Sequence, residues 1–433
     1  MKTVMFVALF MTSSLSADEL PALPAFARVR AASQAHDGQA VAALKRFYEG
    51  RALIVGDFRS TNDALALADA IEAAGGRIDQ IVNDRALVGF IPAAIDEFVR
   101  HAPGVRFFSR IPVVDLTAVP FNDDEGVRGA VRHFNRTLDG SVLRDLMTSE
   151  FLPPDRDVIV APESSVPVVS TQDVHAQAAV RNVSMTGRIG ITFHFVESNG
   201  AIDADEFTWT PADRGTIITR AQDGYDWWQS QANARGKSIL YTIRFLSTPG
   251  NAQEYEPYEP IRHPVNHKSY LWVNPIMANF GYTMTDPDQE IQALRRVDAY
   301  NEALRATINA QATFSVFVIY NPSPAPTTHT DGFYTLTYFG GPWMDHPFRP
   351  GGYPTSSWGW VLAHEMAHVF WACDEYAPVC TTCSYCFPGQ GPRPTTPNGN
   401  CDNPCNTTPT ACIMRIVNPS QPVCSYTATQ IGW

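Results

Sequence analysis

The segment HEMAHVFWACDEY, residues 364–376, holds two histidines four residues apart with a glutamate directly after the first. In an α-helix residues i and i+4 share a face, so His364 and His368 can present two imidazoles to one ion. Glu365 lies one position along, near a water on that ion but off the ligand axis. This is the layout for metal-assisted hydrolysis. Zinc makes the water acidic and polarises a scissile carbonyl, while the glutamate takes the water's proton and passes it to the leaving amine. The flanks VLA and VFWA supply the apolar residues of a buried helix.

A catalytic zinc site takes three protein ligands and keeps one position open. No histidine follows His368, and the carboxylates beyond it are Asp374, Glu375 and Asp402. A third ligand from a glutamate on a helix well downstream, as in thermolysin, therefore has no candidate.

Asp374 stands ten residues after His364, and the segment resembles the metzincin protease pattern HExxHxxGxxH in the variant with Asp at the last position, as in snapalysin-type enzymes. The resemblance implies that His364, His368 and Asp374 bind zinc and that Glu365 is the general base. TACIMRIV, 410–417, is similar to the Met-turn of that family, which implies that Met414 lies beneath the metal. The DEY ending, PNGNCDNPC and ACIMR also resemble segments of exported bacterial metzincin-like proteins. The resemblance covers about 187–433, with its specific motifs at 364–376 and 410–417.

One position departs from the pattern. Trp371 stands where metzincins have the glycine that lets the helix stop with positive φ. A tryptophan in that conformation costs on the order of 1–2 kcal/mol. Either the turn is built differently, with Glu375 as the alternative third ligand, or packing of the indole under the site offsets the strain. Tyr376 and Tyr426 are candidate hydrogen-bond donors to the tetrahedral intermediate, or else simply packed tyrosines.

In metzincins the substrate lies along the edge strand of the sheet, and GFYTLTYFGG, 332–341, falls where that strand is expected. The Gly-, Pro- and aromatic-rich GGPWMDHPFRPGGYP, 340–354, reads as a rim loop that includes His346. Asp286 and Asp288 fit a helix cap better than a calcium site.

The elements that must position these residues alternate strand and helix from 187 onward. GRIGITFHFVES, SILYTIRFLS, ATFSVFVIYN and GFYTLTYFGG read as strands; TPADRGTIITRAQDGYDWWQSQANARG, DPDQEIQALRRVDAYNEALRATIN and WGWVLAHEMAHVFWA read as helices. The expected fold class is α/β (α+β), a twisted mixed sheet with the zinc-binding helix laid on it. Earlier in the chain, ALIVGDF, the capped STNDALALADAIEAAGG, a hairpin about Asn83-Asp84, AAIDEFVRHAPG and VRFFSRIPVV give the order β-α-β-β-α-β. That order is ferredoxin-like, and before a protease it resembles the pro-domains of subtilisin-type enzymes, which implies a zymogen.

The expected organisation is a signal peptide at 1–17, a pro-domain-like unit at 18–120, a connecting region at 121–186 and a catalytic domain at 187–433. Met1-Lys2, the apolar TVMFVALFM and the small residues SSLSA carry the signal-peptide reading, so the product is expected to be secreted or periplasmic. No later stretch is apolar enough for a membrane span. A net charge of −12 and a pI near 5.4 argue against nucleic acid as a partner. All eight cysteines lie between 373 and 424, which in an exported chain suggests up to four disulfides, with a metal knuckle at CTTCSYC as the other reading. The region before 187 has no cysteine to cap a zinc ion, so latency there requires steric cover or a carboxylate such as Asp115. The leading expectation is a secreted zinc endopeptidase acting on proteins or peptides. The alternative is an exported binding protein on the same scaffold, with Trp371 closing the site.

Overall fold

The computed structural model describes Leu44 and residues 46–142, 182–246, 252–376, 380, 392–393, 395–401, 410–418 and 420–433. The expected signal peptide lies outside the described residues, as do Cys383, Cys386, Asp402 and Cys405. Among the described residues no helix is long and apolar enough to cross a membrane.

The early part follows the expected order. Strand β1 (Arg51–Gly56) leads through helix α1 (Thr61–Ala73) to β2 (Arg77–Val82) and β3 (Ala86–Phe90), then helix α2 (Asp96–Arg100) and β4 (Val105–Ser109). Ser60 caps α1 by accepting from the Asp63 amide. Asn83 and Asp84 both have positive φ, the conformation that turns β2 tightly into β3. Helix α3 (Glu125–Leu138) follows, capped by Asp124.

The later part contributes β5 (Gly187–Phe195), β6 (Glu197–Ser198), helix α4 (Pro211–Asn233), β7 (Ile239–Leu246), β8 (Tyr255–Glu256), helix α5 (Tyr270–Asn279), helix α6 (Gln289–Ile308) and β9 (Ala312–Ile319). It closes with β10 (Leu336–Thr337), β11 (Trp343–Pro347), helix α7 (Trp358–Val369) and helix α8 (Ser425–Gln430). Helix α5, with Pro275 inside it, has no counterpart in the sequence reading.

Among the described residues nine strands form one mixed sheet in the order β10-β11-β9-β5-β7-β2-β3-β1-β4. β11, β9, β5, β7 and β2 run parallel, while β10 and the strands from β3 to β4 pair antiparallel. The sheet is thus continuous from the early part into the later part, with Gln80, Ile81 and Val82 in register with Tyr241, Thr242 and Ile243. Alternate residues of β1 face opposite cores. Leu53 and Val55 join Tyr225, Trp227 and Trp358 on one face; Ala52 and Ile54 join Leu65, Ile71 and Ile308 on the other. Helices therefore cover both faces.

Two expectations at the far edge are corrected. The strand expected over 332–341 is only Leu336–Thr337, because Gly340 and Gly341 both take positive φ and turn the chain away. The expected rim loop contains strand β11, whose Trp343–Pro347 are all buried. Its polar residues are absorbed internally. Asp345 accepts from the indoles of Trp272 and Trp343, and His346 is buried against the Trp358 ring at 4.1 Å rather than lying in a loop.

Candidate metal centre

Helix α7 is buried along its whole length and rests on α4 through a close crossing. A Cβ on Gly359 would lie 2.2 Å from the Arg220 carbonyl oxygen, and one on Gly224 would lie 2.4 Å from the Gly359 oxygen. Only glycine at both places allows this approach. The Trp228 indole also donates to the Ala363 carbonyl at 2.9 Å, fixing α7 along its axis.

Asp374 Oδ1 lies 3.0 Å from His364 Nε2 and 3.4 Å from His368 Nε2. The other ring nitrogens are occupied: His364 Nδ1 donates to the Ile413 carbonyl at 3.0 Å, and His368 Nδ1 to the Ala372 carbonyl at 2.7 Å. With the Nδ1 protons so placed, both Nε2 atoms are free to offer lone pairs toward one carboxylate oxygen. Three donor atoms of this kind repel unless a proton or a cation stands among them. Asp374 Oδ1 is buried and its partners are the two Nε2 atoms themselves, all within 4.8 Å of one another, so the residues fit a metal ion, and two imidazoles with a carboxylate suit zinc. The carbonyl contacts at Nδ1 are the outer support that orients ligating histidines. Burial disfavours the His368 imidazolium, but the Asp374 carboxylate outweighs it and lifts the ring to about 9. Burial likewise pushes Asp374 up, while the two histidines hold it well below the usual carboxylate range.

The turn that brings Asp374 back is a Schellman motif. The Trp371 amide bonds the His368 carbonyl at 3.0 Å and the Ala372 amide the Ala367 carbonyl at 2.9 Å, with Trp371 at φ 75°. Of the two expectations for Trp371, packing against the strain is what is found. Its indole lies on Gly340, where a Cβ would come within 2.1 Å of the ring, and edge-on to Phe339 at 5.7 Å. Gly340 donates to the His368 carbonyl at 3.0 Å, so this turn also joins the helix end to the chain beyond β10.

The segment 410–417 comes to the same place. The amides of Arg415 and Ile416 both return to the Cys412 carbonyl at 3.1 Å, and Met414 is fully buried. The turn meets His364 through the Ile413 carbonyl and the chain beyond Asp374 through the Met414 carbonyl, which accepts from the Glu375 amide at 2.9 Å. Glu375 points away from the histidines. Its carboxylate accepts from Asn400 at 2.5 Å and from Thr427 and Cys424 at 2.9 Å, so the alternative third ligand is already engaged elsewhere.

Glu365 is 6% exposed, and its Oε2 accepts from Thr337 Oγ1 at 2.5 Å. Thr337 lies on the edge strand β10. The sequence reading missed it, as it did Tyr334 and Tyr353; the alternation in TLTY was the available signal. The Tyr334 and Tyr353 rings stand 5.9 Å apart and share a hydrogen bond. Burial, then the charges of neighbours including Glu365 and Asp374, keeps the Tyr334 phenol protonated. Tyr376 is raised by burial and by Asp374, and its ring lies 6.3 Å from that of His364. Tyr426 instead packs against Gly399.

The expectation was up to four disulfides, and the described cysteines divide between bonded and free. Cys380 and Cys401 are bonded and Cys373 is disulfide-bonded, but Cys412 and Cys424 are buried thiols beside Glu375. The hydrogen bond from Cys424 to the buried Glu375 carboxylate gives that thiol a role without a bridge. Asp115 caps the turn Leu116–Ala118, and Asp288 caps α6 while Asp286 pairs with Arg295, so each has a structural partner. Compared with protein-family models, curated proteins and solved structures, the chain matches none of them.

Proposed function

We propose that the protein is an exported zinc-dependent endopeptidase of metzincin type, with His364, His368 and Asp374 as ligands and Glu365 as general base. The observation that carries this reading is the convergence of two Nε2 atoms and a buried Asp374 oxygen, all within 4.8 Å of one another, with Glu365 next to His364 on the same helix. A zinc ion held there supplies a Lewis acid that lowers the pKa of a bound water and polarises a peptide carbonyl. Thr337 donates to Glu365 Oε2, which leaves Oε1 to take the water's proton and deliver it to the leaving amine. The phenols of Tyr334, Tyr353 and Tyr376 are kept neutral by burial, with the charge of Glu365 among the further causes, and are the candidate donors to a developing oxyanion. The edge strand β10 offers backbone groups to an extended peptide. Export agrees with the Cys380–Cys401 disulfide, since such bonds persist in oxidising compartments.

Casein hydrolysis by the purified full chain, with and without a zinc chelator, tests the reading. Chelation should abolish cleavage and zinc should restore it. Glu365→Gln should lower the rate by about a hundred- to ten-thousand-fold while the protein keeps one zinc by elemental analysis. Undiminished cleavage by that variant rules out the assigned mechanism.

A further inference from the structure

A second group of metal-type donor atoms begins one residue beyond Asp374, and the proposed reaction does not use it. Glu375, Cys412 and Cys424 are buried, and each offers one ligand atom, a carboxylate oxygen or a sulfur, within 4.8 Å of the other two. They come from three separate stretches of chain: the segment after α7, the turn that carries Met414, and the residue directly before α8. Thr427 Oγ1 stands among them. It lies 2.9 Å from Glu375 Oε1, 3.2 Å from Cys412 Sγ and 3.5 Å from Cys424 Sγ, and Cys424 Sγ lies 2.9 Å from the same carboxylate oxygen. The four atoms form one compact tetrad.

Its surroundings hold it in place. The Cys424 amide donates to Cys412 Sγ and the Thr427 amide to Cys424 Sγ, both at 3.4 Å, so each sulfur receives a backbone N–H. Hydrogen bonds of this kind stabilise a thiolate once one forms. Asn400 donates to Glu375 Oε2 at 2.5 Å and is itself fixed by Thr410, which leaves Oε1 to the sulfurs. This is the outer support that orients metal ligands. The Arg235 guanidinium, bonded to the Val423 carbonyl, lies within the field of both cysteines and offsets part of the negative charge of two thiolates and a carboxylate. Cys380 and Cys401 are bonded to each other, whereas these two sulfurs are close together and free.

We propose that Glu375, Cys412 and Cys424 bind a structural zinc ion, with the Thr427 hydroxyl at the fourth corner. Two thiolates and a carboxylate are a zinc donor set, and sulfur selects zinc over calcium or magnesium. Each thiol gives its proton to solvent as its sulfur takes the ion, so the metal replaces the hydrogen bonds within the tetrad. The ion ties the turn whose Ile413 carbonyl orients His364, and the start of α8, to the residue that follows Asp374. It also keeps the two sulfurs from closing into a disulfide where the compartment is oxidising. This ion is additional to the one counted at the histidine site, and the assignment does not depend on what that site does.

Cobalt is the probe, because a cobalt–thiolate bond gives an intense charge-transfer band in the near ultraviolet and the histidine site contains no sulfur. The full chain carrying Glu365→Gln, which removes self-digestion, is stripped by a chelator with oxygen excluded and refilled with cobalt alone. The expected result is a saturable charge-transfer band that zinc displaces. Cys412→Ser with Cys424→Ser should lose the band and one of two bound ions, and Thr427→Val should weaken cobalt binding by about tenfold or more. His368→Ala should lose the other ion and keep the band, so that failure of the histidine site and failure of this one are told apart. A band that persists in the double cysteine variant overturns the proposal. Two results on the unaltered cluster do so whatever the variants show: no band although both thiols react with iodoacetamide once the chain is unfolded, or recovery of Cys412 and Cys424 as a disulfide from protein exported and purified without reductant.

Discussion

Trp371 shows how a residue can break a local rule and leave the site intact. Its φ of 75° belongs to the region where glycine is preferred, and its indole occupies the space left by the absent side chain of Gly340. Replacing it with glycine removes about 1–2 kcal/mol of backbone strain but also a buried tryptophan, whose loss costs about 3–5 kcal/mol. Packing is the larger effect, so Trp371→Gly should destabilise the protein by about 2 kcal/mol, read from chemical denaturation, while zinc content stays at one per chain. A stabilised variant would mean that the indole contributes little. The approach of His364 to His368 was legible because it resides in spacing along one helix, whereas Asp374, beyond the helix end, was suggested only by the metzincin resemblance. The way Trp371 is tolerated was not legible, since its partner Gly340 lies 31 positions earlier and nothing in the local pattern links the two.

At the level of elements, the site depends on how closely α7 approaches α4. Ala at position 359 favours a helix over Gly by about 1 kcal/mol, yet its Cβ would meet the backbone oxygen of Arg220 at 2.2 Å, which cannot rotate away. Overpacking of this kind costs about 1–3 kcal/mol or more. Gly359→Ala should therefore be net destabilised and release zinc at lower chelator concentration than the parent, whereas Gly352→Ala, with nothing within 4 Å of the added carbon, should match the parent in both assays. Long periodic elements such as α4, α6 and β5 were readable from sequence because their patterns run over many residues. The edge was not. β10 has two residues and β11 sits between glycines and prolines, with its polar side chains satisfied by indoles from elsewhere. Pro275 hid α5 for a related reason, since proline normally argues against a helix interior.

At the scale of the whole molecule, the unit that the sequence suggests as a pro-domain shares its sheet and its core with the rest. The junction is made by residues far apart in the chain, so no periodic pattern announces it. Besides the β2/β7 pairing, the Asn83 amide and side chain bond β7 through Ile243 and Phe245. Beneath the sheet, Arg51 forms two hydrogen bonds to Asp226 of α4, at 2.5 and 2.6 Å, which Gln80 and His133 also contact. Burial pushes Asp226 up, but Arg51 and His133 outweigh it and hold the carboxyl well below its ordinary value. Removing one partner of such a buried pair leaves an uncompensated charge and costs about 3–5 kcal/mol, so Asp226→Asn should lower stability by that order in denaturant unfolding. Deletion of residues 1–120 does more. It strips Arg51 and Gln80 from Asp226, uncovers Tyr241, Thr242 and Ile243 of β7 as a sheet edge, and exposes the face of α3 that packs on β1 and β3. Fragment 121–433 should accordingly be insoluble or unfold without cooperativity, and a protease nick between 143 and 181 should leave two pieces that co-elute as one folded species. A soluble, monomeric 121–433 with native circular dichroism and higher caseinolytic activity than the full chain is the opposite outcome. It would make the first four strands a removable inhibitor and the shared sheet a transient arrangement of the precursor.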